Sequence, residues 1–241
     1  MLAEYPTTVN NEPPVLSALA GQSQSVQLTR LYMGVEFNQE VRILEVTPTH
    51  AIIQTHDPKM LLCLEGTIHL HGGSLPRPVI ARLKEMNFDK GVLYLSDISY
   101  GTMDWRKRRH ERVQPKSATQ VSLRFRQKCY RTELDNISVD GIGLLADKEI
   151  GNEVHLQSGT NIHLDFQLEP YYLISDLKGT LIYANALGKY LVKLGIRTHP
   201  TIEQLPMLNR YIFNRKEEIM DELSQAYAKA CEPQHVENLY F

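Results

Sequence analysis

The sequence predicts a mainly β protein: a small antiparallel β domain, a second domain of short strands, and a C-terminal α-helix. The 241 residues are enough for two domains, and 42% hydrophobic with 22% charged residues is typical of globular chains. Short apolar segments separated by turn residues fill most of the chain from about residue 26 to residue 200. Beyond residue 200 the apolar residues recur at spacings of three, four and seven, which is the period of a helix.

The two ends of the chain are predicted to lie outside the folded domains. Residues 1–25 combine Pro6, Pro13 and Pro14 with polar residues and one short apolar patch at 15–19, which predicts a mobile arm. Residues 233–241 are predicted to be a tail. Its last five residues, 237–241, look like the remains of a protease-cleavable purification tag.

Residues 26–104 are predicted to form the first β domain. Apolar and polar residues alternate in short segments, and turn residues such as Pro48, Gly72 and Asp89 separate them. The predicted strands cover residues 41–46, 51–55, 67–71, 79–83 and 91–95. Short strands joined by tight turns favour an antiparallel arrangement.

A strongly basic segment separates the two predicted domains. Residues 106–112 include five Lys or Arg residues and show no apolar periodicity, so residues 105–112 are predicted to be an interdomain linker. Trp105, the single tryptophan, is predicted to fill space between the domains rather than to stack on a ligand. A basic run of this kind is either a solvated surface or a phosphate-binding segment.

Residues 105–232 are predicted to form the second domain, with strands in 113–200 and a helix in 201–232. Short strands at this spacing are typical of a barrel or a sandwich. Thr201 and Gln204 resemble a capping box, and Pro206 is acceptable only in the first turn of the helix. The predicted strands cover residues 119–125, 129–137, 142–146, 161–168, 179–183 and 190–196.

Composition and missing motifs argue against several classes of protein. The net charge of −2 does not fit a globally basic nucleic-acid coat, and no apolar run is long enough to span a bilayer. The N-terminus has no basic region of a secretory signal, so a cytoplasmic location is expected. Three scattered cysteines without a CxxC pair predict neither a zinc site nor a disulfide framework. His69 and His71 lack a third metal ligand nearby and no catalytic motif is present, so no catalysis is expected.

Two short motifs follow one another along the chain, and their order and spacing indicate a candidate binding site. Arg108 and Arg112 are four residues apart in the linker, and Asn136, Ser138 and Gly141 follow after about one strand hairpin. An amide and a hydroxyl two residues apart at a strand end point to the same side, and a glycine there allows close approach of a ligand. Either motif alone would be weak evidence for a site.

Together these motifs resemble the PilZ family of cyclic di-GMP receptors, whose pattern is R-x-x-x-R followed by [D/N]-x-S-x-x-G. The resemblance covers roughly residues 105–230. It implies a six-stranded antiparallel barrel with a C-terminal helix. The preceding β domain resembles the two-domain flagellar-brake subgroup in architecture, though not in motif. What the resemblance implies is a non-catalytic receptor with cyclic di-GMP as its ligand and no metal or other cofactor.

The ligand's chemistry suits these residue types. A guanidinium matches guanine O6 and N7 bidentately, stacks on the purine and pairs with phosphate. Arg108 and Arg112 are assigned these roles, supported by Lys107 and Arg109. The Asn136 amide oxygen can accept from guanine N1–H and N2–H, and Ser138 can bond a phosphate or guanine. The resemblance thus implies a ligand site made of Lys107, Arg108, Arg109, Arg112, Asn136, Ser138 and Gly141.

The resemblance also implies how the receptor works. A basic residue before the first motif arginine, here Lys107, accompanies two stacked ligands per chain in the family, and five nearby cations can offset four phosphate charges. Ligand binding would order the linker and signal to a protein effector in motility, attachment or biofilm control, from a monomer or homodimer. The alternatives are a transcriptional regulator controlled by cyclic di-GMP and a ligand-free protein adaptor. The acidic net charge and the missing helix-turn-helix pattern argue against nucleic-acid binding.

Overall fold

The structure is a computed structural model that describes residues 14–20, 26–148, 150, 158–169 and 172–231. It confirms the predicted fold class, with two six-stranded antiparallel barrels and a C-terminal helix. The chain divides into two compact units between Lys107 and Arg108, and Leu31–Val35 belongs with the second unit. No described helix is both long and apolar enough to cross a membrane.

The first barrel consists of six antiparallel strands. Neighbouring strands follow the order β1-β2-β3-β6-β5-β4, and β4 pairs with β1 to close the barrel. The strands are β1 (Val26–Tyr32), β2 (Val35–Val46), β3 (Ala51–Thr55), β4 (Thr67–His71), β5 (Val79–Asn87) and β6 (Val92–Tyr100). Inward residues such as Leu28, Ile53 and Leu70 are fully buried and form its core.

Strand β2 begins at Val35, whereas the sequence predicts a strand only over residues 41–46. The apolar alternation in its first half is interrupted by a polar residue. Val35, Phe37, Gln39 and Val41 point inward along this half, and the polar residue interrupts the pattern. The Thr55 hydroxyl donates to Gln39 Oε1 at 2.7 Å, whereas Gln39 Nε2 is buried without a hydrogen-bond partner among the described residues. Because Gln39 breaks the apolar pattern, the sequence does not predict the first half of β2.

Part of the predicted N-terminal arm is folded. Helix α1 (Val15–Ala20) contains the apolar patch of the arm, and Leu19 is 1% exposed in the core of the first barrel. The apolar patch thus belongs to the first unit rather than to a mobile segment, because burying Leu19 removes its side chain from water. The rest of the arm and the predicted tail at 233–241 lie outside the described residues.

The second barrel has the strand order β10-β11-β12-β9-β8-β7, again antiparallel and closed. Its strands are β7 (Gln120–Phe125), β8 (Lys128–Ile137), β9 (Gly141–Asp147), β10 (Asn161–Leu168), β11 (Tyr172–Leu187) and β12 (Leu191–His199). Leu123, Leu144, Leu164 and Leu194 alternate inward and are buried. This alternation leaves every second residue of β9 and β12 on the outer face of the barrel.

Helix α2 (Gln204–Cys231) follows the second barrel. The capping box is present: the Gln204 N–H donates to the Thr201 hydroxyl at 3.3 Å, and the Thr201 N–H donates to Gln204 Oε1 at 3.0 Å. Pro206 lies in the first turn, where a missing N–H is tolerated. The buried face of the helix includes Leu208 and Ile219.

The segment predicted to be an aperiodic linker begins with ordered local structure. Asp104–Lys107 form a 3-10 helix, and the Trp105 indole N–H donates to Glu36 Oε2 at 2.9 Å. The Trp105 ring also contacts the His69 ring edge-on, with 4.5 Å between ring centroids. Trp105 therefore packs on side chains of the first barrel.

Candidate functional site

An open cleft lies on the outer face of the second barrel, where the arginine segment approaches strands β9, β11 and β12. Its volume of about 190 Å³ is smaller than the roughly 300–1,000 Å³ of pockets that enclose drug-sized ligands. The cleft can therefore hold part of a larger ligand, with the remainder lying across its mouth. It is lined by Arg108, Arg109, His110, Arg112, Asp140, Gly141, Ile182, Tyr183, Gly195, Ile196 and Arg197.

Positive charge dominates this cleft. Among the described residues, Arg108, Arg109 and Arg197 form no ion pair. Partial burial, together with the charge of Arg112, lowers the pKa of Arg108, and Tyr183 acts in the opposite direction. Two close cations with little counter-charge repel each other, and a bound anion would relieve that repulsion.

The cations just before the cleft segment are already paired within the first unit. Arg106 donates to Glu36 Oε1 through Nε at 2.9 Å and through Nη2 at 2.6 Å. Lys107 Nζ lies 2.8 Å from Asp104 Oδ1, but both side chains are more than 70% exposed. Such an exposed pair is weak, so the Lys107 ammonium can exchange Asp104 for another anion at little cost.

The side chain of Asn136 positions Arg112. Arg112 Nη1 donates to Asn136 Oδ1 at 3.3 Å, and Asn136 Nδ2 donates to Asp135 Oδ2 at 2.5 Å. Asp135 in turn pairs with Lys193 at 2.6 Å. Both groups of the Asn136 amide are thus occupied, and its oxygen accepts from an arginine in the structure.

Two glycines make room for the side chains of Asn136 and Tyr183 beside the site. Asn136, Gly143, Gly195 and Tyr183 lie opposite one another across β8, β9, β12 and β11. A Cβ on Gly143 would stand 2.8 Å from Asn136 Nδ2, and a Cβ on Gly195 would stand 2.2 Å from the Tyr183 ring. Only glycine lets the two side chains lie flat over neighbouring strands.

The Ser138 side chain is buried in the turn beside the cleft. Its side chain is 1% exposed, and its hydroxyl donates to the Gly141 carbonyl at 3.0 Å and to Asp140 Oδ1 at 3.2 Å. The Ser138 N–H donates to the same carbonyl at 2.7 Å. Ser138 therefore holds the turn that enters β9. Gly141 is where the prediction expected it, and a Cβ there would stand 3.5 Å from Arg112 Nη2.

Sequence reasoning missed the far wall of the cleft. Tyr183 and Arg197 come from β11 and β12, more than forty residues after the second motif. Isolated glycines within predicted strands are a signal of close approach, and Gly143 and Gly195 could have been noticed on that ground. Their pairing with each other depends on strand register, which no local pattern shows.

Comparison with known families agrees with the motifs. Residues 106–214 match the family described as PilZ domain. The match begins two residues before Arg108 and includes the arginine segment, all six strands of the second barrel and the first part of α2.

Three solved structures resemble the chain over most of its length. YcgR from Escherichia coli in complex with c-di-GMP is 14% identical with a TM-score of 0.45, over 88% of this chain and 93% of that chain. The MrkH–c-di-GMP complex of K. pneumonia is 15% identical with a TM-score of 0.41, over 88% and 92%. The Bacillus subtilis inhibitor of motility, MotI/DgrA, is 16% identical with a TM-score of 0.41, over 82% and 97%. A comparison with curated protein sequences finds no significant match.

The cleft of the second barrel can receive an anion. Among the described residues that line it, Asp140 is the one carboxylate, and Asp140 Oδ2 lies 3.9 Å from His110 Nε2. The guanidinium groups of Arg108, Arg109, Arg112 and Arg197 line the same cleft. Planar guanidinium groups bind phosphate and purine edges bidentately.

Proposed function

We propose that this chain binds cyclic di-GMP in the cleft of the second barrel. The observation that carries the proposal is the convergence of Arg108, Arg109, Arg112 and Arg197 on one cleft. A cyclic dinucleotide has two phosphodiester charges for these cations and two flat bases on which a guanidinium group can stack. Guanine adds the O6 and N7 acceptors that a guanidinium recognises bidentately.

The roles of the individual residues follow from their positions. Arg108 and Arg109 are free to contact phosphate or guanine, and Arg112 is held beside Gly141 by Asn136. Tyr183 offers an aromatic face at the opposite wall. Asn136 acts by positioning Arg112. For Asn136 to contact guanine directly, its hydrogen bonds with Arg112 and Asp135 would have to rearrange.

The proposed consequence of binding is a signal to a protein partner. Residues 105–112 connect directly to the cleft, so a ligand that engages Arg108 and Arg112 would order this segment and fix the arrangement of the two units. We propose that this change is recognised by an effector in motility or surface attachment. A regulator that binds DNA is the competing hypothesis, and a gel-shift assay with and without cyclic di-GMP distinguishes the two.

Calorimetric titration tests the proposed ligand. Cyclic di-GMP should bind with an exothermic saturating signal, whereas cyclic di-AMP should bind more weakly because adenine has a donor where guanine has O6. Arg210→Ala is the matched control, since Arg210 is an exposed arginine on α2 outside the cleft. Equal affinities for the two dinucleotides would contradict guanine recognition, and no heat with either would contradict the proposed function.

Each chain is predicted to bind two molecules of cyclic di-GMP. Lys107→Leu should lower this number toward one. Two stacked dinucleotides bring four phosphate charges together, and the ammonium of Lys107 is available because its pair with Asp104 is exposed. Binding should also weaken steeply as salt rises. Calorimetry on both proteins measures the ratio, and limited proteolysis should show residues 105–112 becoming resistant. A wild-type ratio of one would refute the stacked pair, and undiminished cleavage at saturating ligand would refute the ordering.

Asn136→Ala and Ser138→Ala are predicted to weaken binding by less than the loss of a motif arginine. Asn136→Ala frees Arg112 from one hydrogen bond to an uncharged acceptor, and Ser138→Ala loosens the turn at Gly141. Each change removes about 1 kcal/mol, which is roughly fivefold in affinity. Calorimetry measures both; a loss above a hundredfold in Asn136→Ala would mean that the amide itself contacts the ligand.

A further inference from the structure

Strand β11 extends well beyond the strand beside it. Pairing between β10 and β11 ends at Asn161 and Thr180, and Leu181 then exchanges backbone hydrogen bonds with Thr160 and Gly159 at 2.9 and 2.8 Å. From there β11 continues to Leu187, paired with β12 on its other side. Residues 182–187, called the open edge below, therefore have a strand partner on one side only among the described residues.

The open edge lacks the charges and prolines that usually keep a free strand from pairing, and its one irregularity, between Leu181 and Tyr183, lies at its start. Its sequence, Ile-Tyr-Ala-Asn-Ala-Leu, contains no charge and no proline. Ile182 is 39% exposed and Leu187 is 49% exposed, and Tyr190 in the adjoining turn is 71% exposed. Natural edge strands are protected by lysines, prolines or bulges, and an apolar, uncharged edge is a template for another strand.

We propose that the open edge pairs in antiparallel fashion with the open edge of a second copy, giving a homodimer with two-fold symmetry. A two-fold axis perpendicular to the sheet keeps each side chain on its own face, so the pairing must centre on a residue. Centring on Asn185 places Tyr183 opposite the partner's Leu187 and Ala184 opposite the partner's Ala186. An aromatic ring then lies over an aliphatic side chain, and small residues face small residues.

The absence of charge along the open edge favours a second copy of the chain as its pairing partner. When two copies of the open edge pair, each of its residues faces another residue of the same six. A charged residue there would face either a like charge or an apolar side chain. The absence of charge in residues 182–187 removes that penalty. Six residues per copy make a small interface, so the dimer should be weak and its population should depend on concentration.

This inference goes beyond the proposed ligand and does not depend on it. Tyr183 and Ile182 also line the cleft, but strand pairing uses the backbone edge and requires no dinucleotide. The test is therefore performed on ligand-free protein. Failure to dimerise would leave cyclic di-GMP binding untouched, and failure to bind cyclic di-GMP would leave the dimer untouched.

Sedimentation velocity over a wide range of protein concentration tests the pairing. The wild-type chain should shift from one to two chains per particle as concentration rises. Asn185→Lys and Asn185→Asp should each remain monomeric, because each places like charges opposite one another at the axis. An equimolar mixture of the two variants should dimerise again, since lysine then faces aspartate; a general folding defect would not produce this recovery.

The matched control is Asn209→Lys, the same substitution at an exposed position of α2. It should dimerise like the wild type. Leu187→Lys is a second variant that removes the predicted contact with Tyr183, and it should also lower the dimer fraction. A wild-type chain that stays monomeric at every concentration overturns the proposal. Dimerisation of Asn185→Lys equal to that of the wild type overturns it as well.

Discussion

Arg112→Ala is expected to weaken cyclic di-GMP binding by about 10- to 100-fold, and Arg108→Ala by a similar factor. Each substitution removes a charged, bidentate contact that contributes about 1.5–3 kcal/mol. The Arg112 side chain lies against Gly141 and bonds Asn136, whereas Arg108 has no ion pair within the described chain. Calorimetry measures the affinity of each variant beside the wild type.

Two further variants make this result specific. Arg112→Lys keeps the charge and loses the planar fork, so its affinity should fall between those of the wild type and the alanine variant. Arg210→Ala removes an arginine of α2 and should bind normally. Circular dichroism should stay native in all of them, because these arginines are not part of the core. Unchanged affinity in both Arg108→Ala and Arg112→Ala would remove the motif from the site.

Arg215→Ala is expected to destabilise the second unit by about 2–3 kcal/mol. The Arg215 side chain is 2% exposed and donates to the Gln114 carbonyl at 3.1 Å, to Glu218 at 3.1 Å and to Glu222 at 2.9 Å. It thus joins α2 to the chain two residues after Arg112. The alanine variant loses these charge-assisted bonds and leaves an unpaired carbonyl.

Urea unfolding followed by circular dichroism measures the loss, with Arg210→Ala as the exposed control on the same helix. The effect should also depend on pH. The hydrogen bond from Arg215 holds the pKa of Glu222 below its usual value, so this pair stabilises the fold fully above the unfolded value of about 4.3. Its contribution is lost as the pH falls through the lowered pKa. Equal stability of Arg215→Ala and wild type at neutral pH would contradict the assigned role.

Much of the fold could be predicted because its signals are local. Thr201 and Gln204 form the capping box that their spacing indicates, and alternating residues form the strands. Local signals failed where a contact distant in sequence decides the outcome. Thr55 donates to the buried Gln39 Oε1, and Leu19 packs in the core of the first barrel.

The candidate site divides in the same way. Arg108, Arg112 and Gly141 belong to the two motifs, so they could be proposed as site residues without a structure. Tyr183 and Arg197 were not, because the register of β11 and β12 brings them to the cleft. A motif shows residue types and not burial, so the hydrogen bond from the Ser138 hydroxyl to the Gly141 carbonyl could not be predicted from the sequence. A contact between Ser138 and the ligand stays a prediction.

Hydrogen exchange of the full chain with and without saturating cyclic di-GMP tests the central claim most directly, because it reports both binding and its location. The predicted result is slower exchange at residues 105–112 and along the outer faces of β9 and β12 around Gly143 and Gly195, with α1 and the first barrel's core unchanged. No change at the arginine segment, or protection confined to strands away from this cleft, would contradict the account.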